Sequence, residues 1–384
     1  IVLVLLWLVY FSFGLILSSI PPLVNVISLD LALSYSQMGI ILGSLVVMYV
    51  PLSVPIGVLI DRFGEKMMIT LGLALISISS ILRAFAFNFE TLLLAVFLFG
   101  FGGPTISVGL AKVVASSFIE RERGIASGLY MTGATVGSAL ALAITSSFIL
   151  QFVGHWRNVF SLYGVIGLLI TLVWIAFMKG KQRMDERINP RHSLGEMLRT
   201  LTNHREVWIV AIIGSSSFFV FYGFGNWLPA LLEAKGLSPA DAGMLASLPA
   251  WLGLIGSTLL PAIAKTGSRR PIIAVSLFAQ GLSIYFVAIT LELQLVASLV
   301  IYGIISGGIM PLMLVVMMDL PSVGAEYTGV ASGLFFSLGP AMGVIGPILV
   351  GYMTDLYGSF LPALIMIALV VEFIILLAFA FKEN

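Results

Sequence analysis

The sequence predicts an all-α membrane protein with twelve transmembrane helices in two pseudo-symmetric six-helix bundles. Three observations carry this. Of 384 residues, 59% are hydrophobic and only 10% charged, against roughly 45–50% and 25% in a soluble domain. So few charges cannot clothe a water-facing surface, which excludes a soluble globular protein, a disordered chain and a nucleic-acid binder. The apolar residues fall into twelve runs long enough to cross a bilayer, and the two halves of the chain repeat each other.

A hydrocarbon core of about 30 Å needs roughly 20 apolar residues per helix. Cut at charges and turn residues, the runs are 1–26, 37–60, 67–87, 91–116, 124–152, 156–178, 207–232, 241–264, 271–290, 293–318, 329–353 and 360–381. They are continuously apolar rather than alternating, so they read as helices and not as strands of a membrane barrel. The chain opens on Ile1 and is apolar at once, which reads as a trimmed N-terminus. The first run is too long and uncharged for a cleaved signal peptide. Net charge is +1 and there is no cysteine, so neither bulk charge nor disulfide chemistry points to a partner.

With the N-terminus inside, 15 of the 19 Lys and Arg residues fall in inside loops. This bias puts both termini in the cytoplasm of a multi-pass plasma-membrane protein. The only long polar stretch, 179–206, is a cytoplasmic linker between an N-terminal bundle, 1–178, and a C-terminal bundle, 207–384. Within it, Ser193 to Thr202 reads either as a solvated strand of linker or as a short amphipathic helix on the membrane surface. The halves match in order: Gly124-Ile125-Ala126-Ser127-Gly128-Leu129 with Gly329-Val330-Ala331-Ser332-Gly333-Leu334, and Gly102-Gly103 with Gly307-Gly308. Two parallel six-helix repeats point to a transporter with its site between them.

Between segments two and three stands Gly57-Val58-Leu59-Ile60-Asp61-Arg62-Phe63-Gly64-Glu65-Lys66. It resembles the loop signature of the major facilitator superfamily, G-x-x-x-D-R-x-G-x-R/K, at Gly57, Asp61, Arg62, Gly64 and Lys66. Gly57 is expected to admit a neighbouring helix closely and Gly64 to make a tight turn. The resemblance implies a conformational latch in which Asp61 braces the inside face, facing the N-terminal dipole of the helix that starts near Gly329. In the second half Lys265 stands where the acid would be, so the latch is expected to be one-sided. Segment five carries Gly128, Gly133, Gly137 and Ser138, spaced for close helix packing. Ala134 replaces the proline of the superfamily's antiporter signature there, which argues against drug/proton antiport.

Lys112 sits inside segment four, where a lysine is costly unless it snorkels, pairs or faces a cavity. A cavity-facing cation would attract an anionic substrate. The run Gly103 to Lys112, and Phe221 to Ala230 in segment seven, resemble the cyanate porter-like branch of the superfamily. Arg83 ends segment three on the outside and reads as snorkelling, with a substrate role left open because its position resembles an arginine of the haem/choline transporter-like branch. Glu372 in segment twelve is the one acid at mid-depth and the candidate proton site. Tyr10, Asn25, Tyr222 and Asn226 are polar candidates to line the site, Asn226 foremost because an unpaired amide in a membrane helix is costly.

No catalytic or metal-ligating constellation is present, and no phosphate-cradling loop couples the chain to ATP. No cofactor is expected. The expected function is a secondary active or facilitative transporter, acting as a monomer on a small organic or inorganic anion by alternating access. A neutral or cationic metabolite is the alternative substrate, with or without a coupling proton. A membrane-embedded enzyme or a non-transporting receptor is the alternative of another class.

Overall fold

A computed structural model of the chain describes residues 1–178, 199–264, 268–321 and 323–380. Among these, all regular structure is helical, and twelve stretches are long and apolar enough to span a membrane. The linker up to 198, including residues 193–198 of the suggested amphipathic helix, lies outside the described residues, as does Lys265. Residues 199–202 are helical. Large apolar side chains such as Leu172 and Phe373 stand more than half exposed on the helices, as a lipid-facing surface requires.

Segment one is α1 (Val2–Leu17), a 3-10 turn (Pro21–Leu23) and α2 (Val24–Asp30). Segment two is α3 (Tyr35–Val47) with α4 (Tyr49–Phe63). Then follow α5 (Glu65–Arg83), α6 (Phe89–Ser117) and α7 (Glu120–Ile144). A π-turn (Thr145–Ile149) carries α7 into the short α8 (Leu150–Val153), and α9 (Trp156–Phe177) closes the first half. The second half runs α10 (Arg205–Gly223), α11 (Leu228–Ala234), α12 (Pro239–Ile263), α13 (Arg269–Ile289), α14 (Glu292–Met318), α15 (Gly324–Tyr357) and α16 (Leu361–Ala380).

Contacts divide the chain into two compact units, Ile1–Arg183 with Asn226–Ala250, and Met184–Gly225 with Trp251–Asn384. The segment that carries α11 and the first half of α12 thus clusters with the first half of the sequence. Packing repeats between the halves. Within the first, α1 lies mainly on α7, and α5 on α6 and α9; within the second, α10 lies mainly on α15, and α13 on α14 and α16.

The α1–α7 contact shows why small residues occupy segment five. A Cβ on Gly133 would stand 2.5 Å from the Trp7 carbonyl oxygen, and one on Gly137 would strike the Phe11 carbonyl and stand 2.8 Å from the Leu15 amide. Without side chains the two backbones meet, and Ser138 Oγ donates to the Gly14 carbonyl at 3.2 Å. Lipid gives helices no hydrophobic reason to associate, so this close approach is where their attraction arises.

Segment one breaks because Pro21 and Pro22 lack the amide hydrogens that would continue the helix. Carbonyls beside the break are answered by side chains. Ser19 Oγ donates to the Ile16 carbonyl at 2.7 Å, Arg83 Nη1 donates to the same oxygen at 3.2 Å, and Ser146 Oγ, from the π-turn of segment five, donates to the Pro22 carbonyl at 2.7 Å. Segment seven breaks at the matching place: the offset that relates Gly124 to Gly329 carries Leu17 to within one residue of Gly223, the end of α10. There Pro229 opens α11.

Gly137→Val tests the packing account. The added methyls meet backbone rather than mobile side chains, so we expect a loss of about 1–3 kcal/mol, read as a lowered melting temperature in detergent. Gly128→Ala, where nothing lies within 4 Å, does not lower it, since alanine favours a helix interior over glycine.

Candidate functional site

The loop motif is built at the C-terminus of α4. Gly64 sits at φ 86°, ψ 151°, a conformation essentially reserved for glycine, and it reverses the chain directly from α4 into α5. Gly57 does not serve a close helix approach as the sequence suggested: nothing lies within 4 Å of where its Cβ would be. Its carbonyl is the functional group instead, accepting from Lys112 Nζ at 2.7 Å. Lys112 also pairs with Asp61 Oδ1 at 2.5 Å. Arg62 lies 5.3 Å from the ring centre of Phe63, and the Lys66 carbonyl accepts from Trp174 Nε1 at 3.2 Å.

Lys112 is therefore neither a snorkelling lysine nor an unpaired cation awaiting an anion in this structure. Its partner comes from the neighbouring segment two, and its amino group ties the end of α4 to α6. The Asp61 side chain remains 72% exposed, so this ion pair lies at the rim of the unit. In the second half Arg269 Nη2, at the start of α13, pairs with Asp319 Oδ2, just past α14, at 2.5 Å. The second half thus carries an ion pair between helix ends of its own, which the presence of Lys265 alone did not reveal.

Arg83 does not snorkel. It is 0% exposed. Besides the Ile16 carbonyl, Nη1 donates to Ser19 Oγ at 3.2 Å and Nη2 to Ser79 Oγ at 3.3 Å. The ring centres of Phe99 and Phe160 each stand 5.7 Å from the guanidinium. Its Nε is buried without an acceptor, and among the described residues no carboxylate pairs with it. The charge is held by the C-terminal end of α1, where a cation is favoured, and by two aromatic faces.

Tyr10 belongs to a tyrosine group. Its ring stacks on Phe13 at 5.3 Å and meets Tyr130 edge-on at 5.5 Å. Its hydroxyl engages Ser107, which lies 3.5 Å from the Tyr49 hydroxyl. Tyr10, Tyr49 and Ser107 are half-buried. Asn25 does not join this group; its Nδ2 donates to Glu233 Oε2 at 2.7 Å. Asn226 lies in the turn between α10 and α11, with Nδ2 buried and unpaired.

Tyr222 and Glu372 belong to the other unit. The Tyr222 ring packs against Gly343 and meets Phe221 edge-on at 5.1 Å. Glu372 Oε1 lies over Gly281, where a Cβ would stand 2.6 Å away, so this acid sits in the α13–α16 contact. Sequence reasoning missed Tyr49, Ser107, Tyr130 and Glu233. The available signal for Glu233 was Gly223, Gly225 and Pro229, which mark segment seven as discontinuous and its acid as more than a loop charge. No group of three or more His, Cys, Asp or Glu residues able to hold a metal occurs among the described residues.

Two tests follow from the motif geometry. Gly64→Ala places a side chain in a glycine-only conformation and should cost about 1–3 kcal/mol, whereas Gly57→Ala should leave the melting temperature unchanged. Lys112→Met and Asp61→Asn should give similar small losses, with the double variant no worse than either, because both remove one exposed pair of about 0.2–1 kcal/mol. Additive losses in a double-mutant cycle would show that the two side chains act separately.

The chain matches the model of the Major Facilitator Superfamily over residues 6–347. It is 27% identical over 359 residues to the hexuronate transporter of Bacillus subtilis (strain 168), covering 88% of this chain and 83% of that protein. It is 24% identical over 352 residues to the nitrite extrusion protein of the same organism, covering 89% and 84%. Among solved structures, a bacterial homologue of the human lysosomal transporter Spinster, in an inward-facing and unoccupied conformation, shares the fold at a TM-score of 0.82 and 18% identity, covering 99% of this chain and 95% of that one. The chain belongs to the Major Facilitator Superfamily and is a multi-pass membrane transporter rather than an enzyme.

Proposed function

We propose that the chain carries a small anion, and an organic one in preference, across the cytoplasmic membrane by alternating access. The observation that carries this reading is Arg83, a fully buried guanidinium with no carboxylate partner among the described residues. A positive charge with no carboxylate beside it in a low-dielectric unit favours an anion near it. Lys112, the cation singled out by sequence, is already neutralised by Asp61 and is the weaker candidate. The half-buried hydroxyls of Tyr10, Tyr49 and Ser107 add donors and aromatic faces suited to the neutral, hydroxylated part of such a substrate. Relatives named for hexuronate and nitrite support an anion.

In this reading Asn226 contributes from the turn of segment seven, and both termini face the cytoplasm, as the Lys and Arg distribution favours. Asp61, with Arg62 and Lys66, forms the inside latch, and Lys112 holds Asp61 when the latch is released. The working unit is the monomer.

The test is counterflow in proteoliposomes with labelled glucuronate, nitrite and a neutral hexose. We expect saturable exchange of an anion and none of the hexose. Arg83→Gln should weaken the anion's apparent affinity about ten-fold or more, about 1.4 kcal/mol, and Arg83→Lys should retain part of it. Exchange of the hexose alone would overturn the anion reading, and normal anion exchange in Arg83→Gln would overturn the role given to Arg83.

A further inference from the structure

The contact between Asn25 and Glu233 joins residues 208 apart in sequence within one compact unit. It lies where α11 packs on the 3-10 turn of segment one. Leu228, Ala230, Leu231 and Leu232 of α11 are buried. They anchor the short helix and leave Glu233 half-buried at its edge. Nearby, Tyr35 of α3 meets Trp227 edge-on at 5.8 Å.

Among the described residues the acid has no cation. Asp30, at the end of α2, takes Arg157 at 2.6 Å and Trp156 at 3.1 Å. Lys235, two residues beyond Glu233, is half-buried with its own contacts, and Asp241 at the start of α12 is held by Ser238 at 2.6 Å. None of these charged groups forms an ion pair with Glu233. Its one partner among the described residues is the neutral amide of Asn25. A half-buried carboxyl with only a neutral donor is a poor place for a fixed negative charge.

We propose that Glu233 is a proton-binding site at the junction of segments one and seven: its protonated form keeps α11 seated on segment one, and loss of the proton releases it. Asn25 serves the protonated form at full strength, because an amide both donates to and accepts from a carboxylic acid. Burial pushes the Glu233 carboxyl up, an effect that the Asn25 hydrogen bond partly offsets. When α11 separates and Glu233 reaches water, that upward push disappears. The seated form therefore binds the proton more tightly than the separated form. By linkage, seating is favoured at low pH and is lost as pH rises through the raised value. The proposal rests on the transporter assignment but not on the anion, and its test contains no substrate.

The chain has no cysteine, so reporters can be placed cleanly. Spin labels on Leu29→Cys and Ala234→Cys, both exposed, report the distance between α2 and α11 in lipid nanodiscs. Between about pH 5 and about pH 8, we expect a single short distance at the acid end and a several-fold larger long-distance population at the alkaline end. Glu233→Gln should keep the short distance throughout, while Glu233→Asp, which still titrates, should keep a pH response. An unchanged distance across the pH range in the parent protein would overturn the proposal, as would an undiminished response in Glu233→Gln. The parent measurement needs no variant to fold.

Discussion

A broken helix inside a membrane leaves carbonyls that water cannot reach, each unsatisfied group costing several kcal/mol. That constraint organises the first unit. Pro21 and Pro22 end the hydrogen-bond ladder of segment one, and the structure answers with Ser19 and Arg83 at the Ile16 carbonyl and Ser146 at the Pro22 carbonyl. Burying a guanidinium is itself expensive, and Arg83 is tolerated because it closes the end of α1 beside the rings of Phe99 and Phe160. The break and the charge explain each other.

Segment seven repeats the break, and it too collects chemistry: Asn226 in the turn, Glu233 on the short helix beyond, and Asn25 reaching across from segment one. Discontinuous helices are where membrane carriers place polar groups, because backbone and side chains there already require partners. Other helix ends follow a different rule. There, charges of opposite sign meet across helices, Lys112 with Asp61 and Arg269 with Asp319, in positions where water lowers both the cost and the strength of the pair.

The fold was legible because lipid leaves little choice. Twelve apolar runs, cut at charges, become twelve spanning helices, and the repeated Gly-rich stretches become repeated packing partners. The loop motif was legible as a pattern, and Gly64 adopts the turn it implied. Pairings between segments were not legible. Lys112 has no acid beside it on its own helix, and its partner Asp61 comes from another segment. Arg83 looked like a helix-end cation because its burial depends on the bend of segment one. Glu233 looked like a loop acid because segment seven was read as one continuous helix. In each case the missing information was three-dimensional proximity, which hydropathy and spacing along one chain do not encode.

Arg83 holds the break in segment one together. Hydrogen–deuterium exchange of the protein in nanodiscs addresses it directly, because amide exchange reports local opening. Arg83→Gln should speed exchange at residues 18–24, whose amides depend on the ordered turn, while residues 89–117 of α6 keep their protection. Unchanged exchange at residues 18–24 in Arg83→Gln would contradict the account.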